Sequence, residues 1–162
     1  MLAVSNTSPV SNLAIIGRLD FLRRRYSVVQ IPPAVASELA GLTHPAGRQQ
    51  VQTAVADGWL MVKPLDQTVT PQLPFPLDPG ETAAIALACQ LKADVLLMDE
   101  NRGREAARHC GLVVAGVLGG LAHAKFAGWI PNVRNEIQRL RIEARFFLDV
   151  TVEKFILLQV NE

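Results

Sequence analysis

Short β-branched runs alternate along this chain with longer Ala- and Leu-rich segments whose apolar residues recur at helical spacing. That alternation points to a parallel sheet flanked by helices. Strands are predicted at Leu2 to Ser5, Ser27 to Ile31, Leu60 to Val62, Asp94 to Met98 and Leu112 to Val114. Pro32 and Pro33 open a helix on which Val35, Leu39 and Leu42 share a face, because proline fits a first helical turn. Further helices are expected from Ala46 to Ala56, after Asp78, from Asn132 to Arg145 with Ile137, Leu140 and Phe147 facing inward or toward a partner, and from Val152 to Val160. Thr68 to Pro79 carries four prolines and reads as a surface loop, since proline can sit neither in a central strand nor inside a continuous helix. The expected fold is a three-layer α/β/α domain with a central parallel sheet of four to five strands. Residues 1–130 would form that domain and 131–162 a helical extension packed on it, a total of 162 residues that suits one ordinary core.

Composition narrows the function classes. At 49% hydrophobic and 19% charged, the chain is unlike an intrinsically disordered one. A net charge of +1 argues against a binder that holds nucleic acid by bulk positive charge. The balance is nevertheless a local cancellation: residues 26–100 carry three positive and eight negative charges, whereas residues 101–145 carry eight and three. Cys89 and Cys110 lie far apart in sequence with no CxxC pair, so buried thiols in a reducing cytoplasm are expected, not a disulfide framework or a zinc site. No basic residue precedes Arg18, so no export signal is expected. His109 to Ala124 is free of Lys, Arg, Asp and Glu but falls short of the roughly 20 residues a membrane span needs.

In open parallel sheets, ligands gather at the carboxyl ends of the strands. Two strand ends here look alike. The first leads into Asn6, Thr7 and Ser8, and the fourth into Asp99, Glu100 and Asn101. If these strands are neighbours, Asn6 and Asp99 face each other across one edge. Glu38, at the border of an apolar helix face, and Glu81, in a first helical turn, can reach the same region. Carboxylates converging without His or Cys form a hard oxygen site suited to Mg²⁺ or Mn²⁺, and unneutralised they would repel one another strongly.

Each of these residues also has an ordinary structural explanation. Asp78-x-x-Glu81 is close to a capping box, in which Glu81 reaches back to the cap N–H. Asp99 can cap the helix that follows it, Glu38 can be a solvated helix residue, and Asn6 can be a turn former. Thr7 and Ser8 can cap the first helix. No HExxH, GxGxxG after a strand, GxxxxGK[ST] or GxSxG is present, which leaves zinc, nucleotide-cofactor and serine-hydrolase readings without local support.

Four stretches in order, VSNTSPVSNLAIIGRLDFL, IPPAVASEL, LDPGETAAIALA and ADVLLMDENRGREAARHCGL, give the chain a resemblance to the PIN-domain family, in particular its VapC-like group. The resemblance spans about Leu2 to Trp129. It implies a metal-dependent ribonuclease and the toxin of a toxin–antitoxin pair, cytoplasmic, homodimeric, inhibited by a small antitoxin and not tied to a membrane. Carried over by position, it places the acidic ligands at Asn6, Glu38, Glu81 and Asp99, with Glu38, Glu81 and Asp99 catalytic. Thr7, Ser8 and Glu100 stand beside them in support, and Mg²⁺ or Mn²⁺ is the implied cofactor.

Asn6 departs from the family pattern, which has Asp there. An amide oxygen can still coordinate a metal, but the site loses one formal charge and Asn cannot act as a general base. Two functions therefore compete: cleavage of single-stranded RNA, or a catalytically weakened PIN-like domain that binds nucleic acid or protein. A phosphoacceptor signalling domain using Asp99 lacks the acidic pair expected after the first strand. Arg102 and Arg104 are the candidate phosphate binders, with Arg108 nearby, because the planar guanidinium suits phosphate. With aromatics at 6%, stacking platforms for bases are not evident from the sequence.

Overall fold

The first apolar run becomes β1 (Ala3–Ser5), buried at all three positions, as a strand covered on both faces requires. The computed structural model describes residues 1–162. Four further strands follow: β2 (Val29–Ile31), β3 (Leu60–Val62), β4 (Val95–Leu97) and β5 (Val114–Ala115). They form one sheet of order β3-β2-β1-β4-β5, parallel at every pairing. The predicted α/β architecture with a central parallel sheet is thus the observed one, and β1 and β4 are neighbours with Ser5 opposite Leu97. Strand ends are shorter than predicted. Ser27 lies at φ 64 and closes the preceding helix, and Leu112 and Val113 precede the ladder.

Nine helices surround the sheet: α1 (Thr7–Ile15), α2 (Asp20–Tyr26), α3 (Pro33–Ala40), α4 (Pro45–Ala56), α5 (Pro79–Leu91), α6 (Asn101–His109), α7 (Val117–Phe126), α8 (Val133–Glu143) and α9 (Val150–Gln159). Helix α5 packs directly on β1 and β4, and its buried run from Ala83 to Ala88 is apolar on every side. Helix α1 packs with α4, α7 and α8, and α9 closes on α7. His44 accepts from Gly47 N–H at 2.9 Å, so it caps α4. No helix is long and apolar enough to cross a membrane.

One cluster of 37 buried residues runs through the molecule and includes Ile137, Leu140, Leu157 and Val160 from the last two helices. Burial of each large side chain in it stabilises the fold by about 1.5–3 kcal/mol. Glu136 of α8 is buried and accepts from Arg18 Nη2 at 2.7 Å and Nε at 3.2 Å, which pins α8 to the turn after α1. Glu162 accepts from Val133 and Arg134 N–H and from Lys125, closing the end of α9 onto the start of α8.

Three expectations need correction. Of the two alternatives for Phe147, the inward one falls: α8 stops at Glu143, Arg145 turns the chain through φ 52, and Phe147 is left 89% exposed. Helix α9 starts at Val150, two residues early, because Asp149 accepts from Thr151 N–H at 2.8 Å and caps it there. Cys89 and Cys110 are free but only half-buried; they lie near enough to interact, and burial raises both thiols.

Candidate functional site

From β1 the sheet grows to one side through β2 and β3 and to the other through β4 and β5, so the crevice beyond the carboxyl ends of β1 and β4 is the topological switch point. Asn6 leaves β1 there and its N–H is held by Leu97 O at 2.9 Å. It occupies the N-cap position of α1, where an Asn side chain ordinarily bonds a backbone N–H, yet it makes no cap bond. Its Oδ1 is buried without a partner.

Asp99 leaves β4 after Met98. Its Oδ1 accepts from Val117 N–H at 2.7 Å, so it caps α7, not the α6 that immediately follows it as the sequence led one to expect. Helix α6 is preceded instead by Glu100, whose side chain makes no cap bond. Asp99 Oδ2 is buried with no partner. Burial pushes the Asp99 carboxyl up to about 6, against the pull of Val117 N–H, Arg104 and the Asn12 amide.

Glu38 stands exposed on α3 and accepts a hydrogen bond from the Thr7 hydroxyl. Glu81 is buried at the start of α5 and completes the capping box: Asp78 accepts from Glu81 N–H at 2.8 Å, and Glu81 accepts from Asp78 N–H at 3.4 Å. Burial raises its carboxyl above the usual range, and the Asp78 and Glu100 charges add to this. Glu100 accepts from the Ser8 hydroxyl at 3.4 Å, bridging the two strand ends.

Each of the three carboxylates rests against a glycine. A Cβ on Gly80 would reach the Glu38 carboxylate, one on Gly103 would come within 2.9 Å of Glu81 Oε1, and one on Gly116 within 2.7 Å of Asp99 Oδ1 and 2.9 Å of Arg104 Nη1. These glycines, with Asn12 and the Val117 N–H, are site-building groups that sequence reasoning missed. The only signal was a glycine beside each motif, in LDPGE, DENRG and VVAG, and spacing alone does not show which carboxylate each one faces.

The fold brings Asn6, Thr7, Ser8, Glu38, Glu81, Asp99 and Glu100 to one edge, but no three acidic side chains gather closely enough to hold a metal ion. The cause is local satisfaction. Glu38 is held by Thr7, Glu81 by the Asp78 backbone and Asp99 by Val117, which separates like charges that would otherwise repel. The donor set still fits a hard divalent cation. It is all oxygen, and Asn6 Oδ1 and Asp99 Oδ2 are buried acceptors with no donor of their own. Of the arginines, Arg104 is fixed beside Asp99 by a 2.9 Å bond to Met98 O. Arg102 instead lies over the Phe75 ring at 4.6 Å and bonds Pro76 O, which ties it to the proline-rich loop.

In fold, the chain is similar to a PilT N-terminus domain protein from the hyperthermophilic archaeon Sulfolobus solfataricus P2, with a TM-score of 0.56 at 19% identity over 76% of this chain and 93% of that one. No curated protein matches it. The family model described as "DUF3368: PIN domain" matches residues 2–162, the whole sheet and all nine helices included. This chain, with its oxygen-lined crevice at the switch point of a five-stranded parallel sheet, belongs to the PIN-domain family.

Proposed function

We propose that this PIN domain is a metal-dependent endoribonuclease that hydrolyses phosphodiester bonds of single-stranded RNA with Mg²⁺ or Mn²⁺, acting as a VapC-like toxin of a toxin–antitoxin pair. The observation that carries the reading is the pair of buried, partnerless oxygens, Asn6 Oδ1 and Asp99 Oδ2, at the ends of adjacent strands. A buried acceptor without a donor costs about 1–3 kcal/mol, and a cation between the strand ends would offset that cost.

Asn6 and Asp99, whose oxygens lack donors, would hold the ion first, and Glu38 and Glu81 would join them only by leaving Thr7 and the Asp78 N–H. When bound, a divalent cation lowers the pKa of a coordinated water and neutralises charge on the leaving oxygen. The remaining work belongs to the chain. Val117 N–H fixes one Asp99 oxygen and leaves the other buried without a partner, while the Thr7 hydroxyl orients Glu38. Arg104 sets a fixed positive charge beside Asp99, where a phosphate would enter. Asn6 would contribute a neutral oxygen, one charge fewer than an Asp would supply, and affinity for Mg²⁺ would be lower accordingly. The toxin reading carries a homodimer and a small antitoxin as partners.

A second reading has its own support. Asn6 and the separate seating of the three carboxylates fit a PIN domain that has lost catalysis and serves as a nucleic-acid-binding or protein-interaction module. Cleavage of single-stranded RNA with Mn²⁺, compared for the native chain, Asn6→Asp and Asp99→Ala, separates the two. Native cleavage lost in Asp99→Ala supports the nuclease. An inactive native chain with activity gained in Asn6→Asp supports the weakened domain. A short upstream gene for a DNA-binding antitoxin would favour the toxin role.

A further inference from the structure

Beyond the acidic edge, a groove of about 820 Å³ runs between the ends of β4 and β5 and the segment that joins α8 to α9. Ser8, Asp99 and Arg104 line its inner wall, and Arg145, Phe147 and Phe155 its outer wall. Three of the chain's six phenylalanines fall between positions 146 and 155. Phe146 is half-buried against the core and anchors the segment, but Phe147 is 89% exposed and Phe155 60%. Rings of that size are ordinarily buried, and leaving two of them open on one wall of a groove marks a contact surface.

The groove lining also carries two arginines, Arg104 and Arg145, alongside the acidic Asp99, Glu100 and Asp149. Neither Arg104 nor Arg145 has a carboxylate within ion-pairing distance, although seven other ion pairs form elsewhere in the molecule. On the floor, Gly119 of α7 is exposed, and nothing lies within 4 Å of where its Cβ would be, so a flat ligand can approach the helix closely. Two exposed rings and two arginines, Arg145 exposed and Arg104 held to Met98 O, line a groove continuous with the acidic edge and match the requirements of a single nucleic-acid strand: π-faces for bases and cations for phosphates. A duplex does not fit, because its stacked bases present no free face to a ring.

We infer that the α8–α9 segment is a base-stacking wall: single-stranded RNA lies in the groove with unstacked bases on Phe147 and Phe155 and its phosphates against Arg104 and Arg145. For its ligand class this rests on the proposed function, but it is a statement about binding and can fail or stand separately from cleavage. The ribose 2′-hydroxyl separates RNA from single-stranded DNA as the occupant.

The test is fluorescence anisotropy of a labelled 12-nucleotide single-stranded RNA, and of DNA of the same sequence, with the full chain in EDTA. Cleavage with Mn²⁺ is measured in parallel. The native chain is expected to bind RNA more tightly than DNA. Phe147→Ala with Phe155→Ala should weaken RNA binding on the order of tenfold or more, whereas Phe147→Tyr with Phe155→Tyr should retain it. Arg145→Gln should reduce the dependence of log K on log salt by about one. Gly119→Phe, which fills open space on an exposed helix face, should block the groove while leaving the thermal unfolding midpoint no lower than native. A Phe147→Ala with Phe155→Ala variant that binds within twofold of the native chain overturns the inference, as does a native chain with no affinity for RNA. Monodisperse dimers that the Ala variants convert to monomers, with RNA binding unchanged, would also overturn it and assign the face to a second copy. Weakened binding in a chain that never cleaves RNA upholds the wall and removes the nuclease reading. Cleavage with unaffected binding in the Ala variants does the reverse.

Discussion

At Asp99, burial lifts the carboxyl from its ordinary 3.8 to about 6, so the cation-free folded chain holds a proton there more tightly than the unfolded chain does. The contribution of this group to stability is therefore most favourable below pH 3.8, declines as pH rises to about 6, and is level above that. Asp99→Asn keeps an oxygen for the Val117 N–H and removes the buried charge. It should raise the midpoint of thermal unfolding at pH 7.5, by the equivalent of up to about 3 kcal/mol, with the gap closing near pH 4. Added Mn²⁺ should stabilise the native chain and not the variant. Equal midpoints at both pH values would refute this account of Asp99. Gly116 is the second residue on which the crevice depends, because Asp99 is bonded to Val117 and Arg104 to Met98, and neither can retreat from an added methyl. Gly116→Ala should lower stability by about 1–3 kcal/mol and abolish the Mn²⁺-dependent rise in unfolding temperature. Scanning calorimetry with and without the ion reads both effects.

Among the elements, α5 does two things at once. Its capping box fixes where the helix begins, and the same geometry holds Glu81 buried at the crevice. A residue can thus satisfy the structural explanation read from Asp78-x-x-Glu81 and still line the site. Asp78→Ala removes the acceptor for Glu81 N–H and should cost about 1 kcal/mol of stability. It should also lower the Glu81 pKa, since a negative neighbour is lost. Chemical denaturation reads the first effect and carboxyl NMR titration the second. Asp99 shows the limit of reading caps along the chain. The sequence offers only the helix that follows it, α6, whereas the sheet carries β5 alongside β4 and so presents the N-terminus of α7. The α8–α9 joint is legible as a break only in three dimensions, because nothing local in Arg145-Phe146-Phe147 says that the chain must adopt a positive φ there.

Across the whole molecule, α8 and α9 share the buried cluster that contains the sheet, and Leu140 is fully buried within it. Leu140→Ala should destabilise the protein by about 2–5 kcal/mol. Unfolding followed by near-UV and far-UV circular dichroism should remain one coincident transition. Separate transitions would show that the last two helices are held less tightly than this packing implies. Charge is also organised at this scale. The acidic stretch 26–100 supplies Asp99 and Glu100, and the basic stretch 101–145 supplies Arg104 and Arg145, so a nearly neutral chain places both signs around one groove.

The amino-acid sequence by itself determined the parallel α/β class, because the alternation of short β-branched runs with longer amphipathic segments leaves each element one way to bury its apolar face. It also determined which oxygens stand at the strand ends. Only the tertiary structure decided which of those oxygens are engaged: Asn6 Oδ1 and Asp99 Oδ2 are left without donors, while Glu38 and Glu81 are bound by Thr7 and Asp78. It also placed Phe147 and Phe155 on the groove wall. Periodicity is a local property of the chain and survives in the sequence. Hydrogen-bond pairing and exposure depend on which distant segments meet, Asp99 with Val117 or Thr7 with Glu38, and that is fixed only when the sheet order closes.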